Sequence, residues 1–304
     1  MPPAAVIDRM REAAVSPYRE MMAYECLYSL DGMTLKKVSD ATVGSGLLPS
    51  QALHERFGMV EPPEFDDVRS YVDGKLGKGF GVAVKGTPSW PSGIADSRRP
   101  TPIVYFSGDI GLLSTERVAV VGSRKATKDG RARATRLGME LAEAGVTVVS
   151  GLAAGIDSAA MRSALNTSVD GGRGRTIGVI GTPIDECYPK QNTELQAYVA
   201  AQDLLLSQVP FYRYHVQPFN TKRYYFPERN ELMAATSLAT VIVEASDTSG
   251  TLAQARACLF QRRPLFIMRS CYENHDVEWP RKWAERDGVF ILDDVSQVIE
   301  AIRM

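Results

Sequence analysis

Four short loops rich in Gly, Ser or Thr hold most of the residues that could contact an anion: 122–128, 151–157, 181–185 and 246–251. The first lies in RVAVVGSRKATKDG, where Gly122 lets the backbone turn tightly and approach a ligand, and Ser123 adds a hydroxyl. Arg124, Lys125 and Lys128 add charge, and a guanidinium fork suits phosphate. A helix beginning there would add unpaired N–H groups and the positive end of its dipole. This chemistry holds a phosphate and breaks no bond. On this segment alone, a plain strand-to-helix turn with solvated cations fits equally well. The first strand is not followed by G-x-G-x-x-G, which disfavours a dinucleotide, and the absence of G-x-x-x-x-G-K-[ST] disfavours a P-loop NTPase. No cofactor is expected.

A second constellation is FYRYHVQPFNTKRYYFPERN, which interleaves Phe211, Tyr212, Tyr214, Phe219, Tyr224, Tyr225 and Phe226 with Arg213, Lys222, Arg223 and Arg229. Ring faces that stack bases, beside cations that follow phosphates, are what a single nucleic-acid strand requires. A hydrophobic hairpin or dimer contact with exposed cations accounts for some of the same rings. Acid–base candidates are weak. Asp157 and Asp185 end GID and PID turns, where an aspartate normally caps a helix or fixes a loop. Glu244 ends an apolar strand and is either paired structurally or placed in the site. His54 and His215 have no evident partner, and Cys187 and Cys258 read as core residues.

The elements that position these loops emerge from Arg117 onward. Apolar runs such as RVAVVGS, VTVVSG, TIGVIG, LATVIVEAS, PLFIMRS and VFILDD alternate with helical stretches. Continuous apolar strands alternating with helices indicate a doubly wound, mostly parallel sheet covered on both faces. Ligands bind such sheets beyond the carboxyl ends of the strands, where the strand order reverses, and all four loops lie at such ends. Residues 1–72 read as a small helical module, with Ser16-Pro17 as a cap and Gly58 as a stop. The segment SPYREMMAYECLYSL places Met21, Tyr24, Leu27, Tyr28 and Leu30 near one helical face. Residues 73–304 form the sheet domain, entered through a Gly- and Pro-rich stretch with strands in GVAVKG and IVYFSGD.

With 35 Lys and Arg against 36 Asp and Glu, the chain is no uniformly basic nucleic-acid coat, so any anion site is local. The four cysteines form no Cys-x-x-Cys pair, which argues against zinc and against a disulfide framework. No signal pattern or membrane-length apolar run is present, so a cytoplasmic location without membrane contact is expected.

Read in order, VAVVGSRKAT, VVSGLAAGIDSAAMRSAL, TIGVIGTPIDECYPKQNTELQ, FPERNELMAATS and VIVEASDTSGTLAQARACL resemble the DNA-processing protein A family (DprA/Smf) across residues 85–268. The resemblance implies a Rossmann-like domain that binds single-stranded DNA without cutting it, forms a homodimer and helps load a RecA-type recombinase. It also implies phosphate contacts from Arg124, from Lys190 after the Tyr-Pro pair, and from Arg229 and Asn230. With the loops, the expected DNA-binding set comprises Gly122, Ser123, Arg124 and Lys125, then Gly151 and Gly155, then Lys190 and Asn192. Lys222, Arg223, Arg229, Asn230, Ser249, Gly250 and Thr251 complete it, with no catalytic or metal residue.

The chain departs from the family pattern at Ala154 and Met161, where arginine and histidine are usual, and at Arg269-Ser270 in place of Pro-Gly. Glu231 replaces a second arginine, placing negative charge beside the expected DNA path. The sequence closes on VSQVIEAIRM, so a short form without the winged helix that many members carry is expected. These departures imply weaker DNA affinity and leave a phage-defence module or an antitoxin role beside recombinase loading. The segment TSGTLAQA also resembles the phosphate loop of lysine-decarboxylase-like phosphoribohydrolases. Gln254 occupies that family's catalytic glutamate position, so a nucleotide sensor is the more credible form of this alternative.

Overall fold

The computed structural model describes residues 15–58 and 62–304; the rest of the expected helical module lies outside these described residues. Four helices come first: α1 (Pro17–Ser29), α2 (Leu35–Ala41), α3 (Pro49–Phe57) and α4 (Glu64–Asp73). Ser16 caps α1 by accepting from the Arg19 N–H at 3.4 Å, and Pro17 takes the first turn, where its missing N–H is harmless. Gly58 ends α3 at φ +65°. Helix α1 does not behave as a one-faced amphipathic helix: every residue from Glu20 to Tyr28 is buried. Helices α3 and α4, the first strand of the sheet and a later helix at Phe211–Val216 all pack against it. Met21, Leu27, Phe65 and Val72 share one apolar core with Tyr105, Val118 and Leu141 of the sheet region.

The sheet has nine strands: β1 (Gly81–Val84), β2 (Ile103–Gly108), β3 (Arg117–Val121), β4 (Thr147–Ser150), β7 (Thr176–Val179), β8 (Leu204–Ser207), β9 (Ala239–Ile242), β10 (Leu265–Met268) and β11 (Val289–Leu292). The short pair β5 (Ser168–Val169) and β6 (Gly172–Arg173) forms a separate hairpin. The sheet order is β1-β2-β8-β7-β4-β3-β9-β10-β11, antiparallel only where β2 meets β1 and β8. From β3 the chain winds outward through β4, β7 and β8, then returns to the other side of β3 for β9, β10 and β11. The order therefore reverses between β3 and β9, and a crevice opens there beyond the strand ends.

Helices cover both faces, which is why the strands are apolar throughout. Val118 and Val120 of β3 face one core with α5 (Lys128–Glu143), α6 (Ile156–Asn166) and α7 (Thr193–Gln202). Ala119 and Val121 face the other, with α9 (Tyr225–Thr236) and α10 (Thr251–Phe260). Helix α8 (Phe211–Val216) sits between α7 and α9 in the chain. Helices α11 (Arg269–Tyr272), α12 (Trp279–Ala284) and α13 (Val295–Arg303) complete the alternation. Among the described residues, no helix is long and apolar enough to cross a membrane.

Candidate nucleic-acid interface

A cleft of ≈ 680 Å³ opens at the β3/β9 switch point. Its lining includes Gly122, Ser123, Arg124 and Lys125 after β3, Ala153 and Asp157 from the second loop, and Ser246 to Thr251 after β9 in part. Helix α9 closes it with Phe226, Pro227, Arg229, Asn230 and Met233. Three of the four expected loops converge here. The third contributes no lining residue, which corrects the expectation: Gly181 backs the Phe226 ring, where a Cβ would stand 2.8 Å from it, and Lys75 Nζ holds Asp185 Oδ2 at 2.9 Å, tying the far end of that loop to the segment after α4.

The first loop is clamped at its backbone. The Ser123 N–H donates to the Glu244 carbonyl at 2.7 Å, and the Ser123 carbonyl accepts from the Ile156 N–H at 3.3 Å. A Cβ on Gly122 would stand 2.5 Å from Ile156 Cγ1 and 2.8 Å from the Glu244 carbonyl oxygen, so only glycine fits this crossing. The expected phosphate seat at the start of α5 is already filled. The Glu244 carboxylate accepts from the Thr127 N–H at 3.0 Å and from the Thr127 hydroxyl at 2.5 Å. A carboxylate at a helix N-terminus satisfies the dipole that a phosphate would have used. Glu244 is therefore a structural partner, while the side chains of Arg124 and Lys125 are exposed.

Arg124 lies over a ring. Its guanidinium carbon is 5.4 Å from the Phe226 centroid, within cation–π range. Phe226 in turn lies 5.5 Å from Tyr188, which is 47% exposed. Lys190 is exposed two residues beyond Tyr188. A cation and two rings thus follow one another outward from the cleft lining.

The deeper cation is a different kind of group. Arg229 is buried, and its Nη1 donates to the Gly151 carbonyl at 2.8 Å and to the Val179 carbonyl at 2.6 Å. Its Nε donates to Asn230 Oδ1 at 3.1 Å. Burial pulls this guanidinium down to about 10, which still leaves it charged at neutral pH. Arg229 braces the ends of β4 and β7 and brings a fixed charge to the cleft, rather than acting as a free phosphate fork. Gly151 belongs to the same brace, because the guanidinium packs onto its Cα where a side chain would stand. Gly155 likewise abuts the Ser123 and Arg124 backbone. Asp157 fixes the second loop by accepting from the Gly151 N–H at 3.1 Å and the Ala153 N–H at 3.4 Å, and burial raises its carboxyl above the usual range.

Other expected contacts lie elsewhere. Asn192 is buried and donates to the Leu152 and Ala153 carbonyls at 2.9 and 3.1 Å, so it supports a loop and is not free for DNA. Lys222 Nζ lies 4.2 Å over the Tyr214 ring, and Arg223 lies against Tyr224, both away from the cleft lining. The aromatic segment is not one platform. Phe211, Tyr214 and Tyr225 are buried, Phe226 lines the cleft, and Phe219 is 87% exposed with Tyr224 also exposed. The cause is remote: Glu25 of α1 accepts from the Phe211 and Tyr212 N–H groups at 2.9 and 3.1 Å and from Tyr105 Oη at 2.5 Å. That node turns α8 inward. Glu231 adds no bare negative charge to the path, because Arg99 pairs with it at 2.9 Å. Met161 is buried, and Arg269 pairs with Asp293 at 2.5 Å.

Ser249, Gly250 and Thr251 do line the cleft, with Ser249 Oγ bonded to Thr251 Oγ1 at 2.9 Å. Residue reading did not single out Met233, which lines the cleft, or Tyr188, which lies against Phe226; Gln254, noted for its place in the phosphoribohydrolase-like loop, lines the cleft one helical turn after Thr251. Among the described residues, no group of His, Cys, Asp and Glu could hold a metal.

The family model described as DNA recombination-mediator protein A matches residues 81–303. The Synechocystis protein Smf is 35% identical over 185 residues, 60% of this chain and 44% of its own. The chain spans about half the length of the curated relatives it matches. The fold matches the X-ray structure of DNA processing protein A from Streptococcus pneumoniae with a TM-score of 0.71 at 25% identity, covering 94% of this chain and 98% of that one. It matches DNA processing protein A from Helicobacter pylori, whose structure is described in terms of its single-stranded DNA binding mode, with a TM-score of 0.60 at 25% identity. That match covers 74% of this chain and 95% of the other.

Proposed function

The chain belongs to the DNA recombination-mediator protein A family, and from that premise we propose that it binds single-stranded DNA along the mouth of the switch-point cleft. Arg124 and Lys125 take phosphates, Phe226 and Tyr188 offer ring faces to bases, and Lys190 extends the charged track. The observation that carries this reading is the succession Arg124, Phe226, Tyr188, with 5.4 and 5.5 Å between neighbours. Stacking on such rings contributes roughly 1–3 kcal/mol per base and needs no particular sequence. A duplex keeps its base faces covered and gains only the phosphate contacts.

The reading is of a binding protein and not of an enzyme. Asp157 and Asp247 of the converging loops, and Glu244 just before the last of them, are committed to N–H and O–H donors of the chain itself. We place this binding in DNA processing during transformation, alongside a RecA-type recombinase. The test is fluorescence anisotropy with a labelled strand of ~20 nucleotides and the matching duplex across a salt series. The expected result is tighter single-strand binding that weakens steeply with salt. Equal binding of both forms, or none at low salt, overturns the proposal.

A further inference from the structure

Outside the cleft, Val216, Phe219 and Tyr224 turn apolar side chains to solvent, Phe219 being 87% and Tyr224 60% exposed. They lie at the end of α8 and in the short 3₁₀ helix after it, Phe219–Tyr224. A single exposed apolar side chain is ordinary, whereas a group of them marks an interaction surface. The segment is held from below. Glu25 takes the Phe211 and Tyr212 N–H groups, His215 stacks on Tyr71 with 4.4 Å between centroids, and Tyr214 and Tyr225 form a small cluster with Val209. Charge identifies the partner. From Phe211 to Pro227 there is no acidic residue, but there are Arg213, Lys222 and Arg223. Lys222 Nζ lies 4.2 Å over the Tyr214 ring and the Arg223 guanidinium 5.2 Å over Tyr224, so both cations rest on rings. Rings beside cations fit a polyanion with flat apolar groups, and single-stranded nucleic acid has both. The surface also continues the succession that leaves the cleft. Burial, helped by the Glu186 and Tyr188 charges, pushes the Tyr214 phenol up to about 12, which sets Tyr188 beside Tyr214. Arg124, Phe226, Tyr188, Tyr214 and Lys222 therefore follow one another. This continuity favours a strand over an acidic protein segment, which need not start at Tyr188.

We propose that a single strand leaving the cleft over Tyr188 crosses this surface, with bases on Phe219 and Tyr224 and phosphates at Lys222 and Arg223. The protein then has a second sector of DNA contact outside the switch-point cleft. The inference rests on the single-strand reading for its first sector. It gives the exposed rings a ligand, and it makes the protein selective for long strands. A strand too short to pass Tyr188 meets only the cleft, whereas a longer one gains the contacts of both sectors.

The test is a length series. Oligothymidines of ~5, ~10, ~15 and ~20 nucleotides are titrated at low salt, by fluorescence anisotropy, with the wild type and with Phe219→Ala/Tyr224→Ala. Both rings are exposed, so the double variant should melt with the wild type. The two proteins should bind the shortest strand alike. Their affinities should then separate with length, until the variant binds the longest strand at least about fivefold more weakly, the low end for one lost stacking contact. Lys222→Ala/Arg223→Ala should show the electrostatic half. Its slope of log K against log salt should be shallower by about 1.4 with the longest strand, as for two lost phosphates, and unchanged with the shortest. Equal binding by wild type and both variants at every length overturns the inference and leaves the surface to a protein partner. A loss of the same size at every length also overturns it, because the rings would then act through the cleft. Binding of the strands without any dependence on these residues leaves the cleft reading standing. No binding by the wild type at any length refutes that reading and this inference together.

Discussion

Replacing Arg124 with alanine removes one exposed guanidinium from the cleft mouth and leaves the clamped loop backbone in place. If that guanidinium neutralises one phosphate, the slope of log K against log salt becomes shallower by about 0.7, the value for single strands. The same relation sets the loss of affinity: about fivefold near 0.1 M salt, about 25-fold near 0.01 M and almost none near 1 M. The two binding curves should therefore converge as salt rises. Fluorescence anisotropy of an oligothymidine across that salt range reads the slope directly. A constant loss at every salt would mean that Arg124 acts by supporting Phe226. No loss at any salt would remove it from the DNA path. Either result refutes the assignment of a phosphate to Arg124.

Phe226→Ala should give the complementary pattern, a loss of roughly 1–3 kcal/mol that is parallel at all salts, read in the same titration. Arg229→Met should destabilise the fold by roughly 2–4 kcal/mol, because the Gly151 and Val179 carbonyls lose their donor and buried Asp157 loses a nearby cation. Urea unfolding checks this, and unchanged stability with a shallower salt slope would instead make Arg229 a DNA ligand. Burial raises the Glu25 carboxyl from 4.5 to about 7, so the fold holds that proton more tightly than the unfolded chain does. The stability it contributes is full below about pH 4.5 and is lost as pH rises to about 7, a change of roughly 3 kcal/mol. The melting temperature should accordingly fall between about pH 4.5 and 7, and Glu25→Gln should lessen that fall, the remainder coming from Glu228, whose carboxyl burial also raises to about 7.

The doubly wound sheet was legible because from β3 onward apolar strands alternate with helical stretches. Three of the four glycine-rich loops could be placed at one crevice because the rule for such sheets concerns strand ends, which sequence marks well. What sequence concealed depends on partners far away in the chain. Nothing near Thr127 indicates that Glu244 fills its helix start from 117 residues away. Arg229 looks like its surface neighbours in a basic aromatic run, and only the carbonyls of Gly151 and Val179 make it a brace. The rings of residues 211–226 divide between core and surface because Glu25 and its donors turn α8 inward.

The contact between α1 and α8 also has a consequence for synthesis. Tyr24 Oη donates to the Gln208 carbonyl at 2.6 Å across 184 residues of sequence, and Glu25 meets Phe211 across 186. At translation rates of roughly 5–20 residues per second, α1 leaves the ribosome about 10–40 s before the segment that covers it. During that interval Tyr24 and the Glu25 carboxylate lack the Gln208 carbonyl and the Phe211 and Tyr212 N–H groups that they meet in the finished fold. The nascent chain therefore leaves α1, which the finished fold buries at every residue from Glu20 to Tyr28, incompletely covered for that interval, and a chaperone that binds short apolar segments should be found on residues 17–29 until Phe211 has emerged.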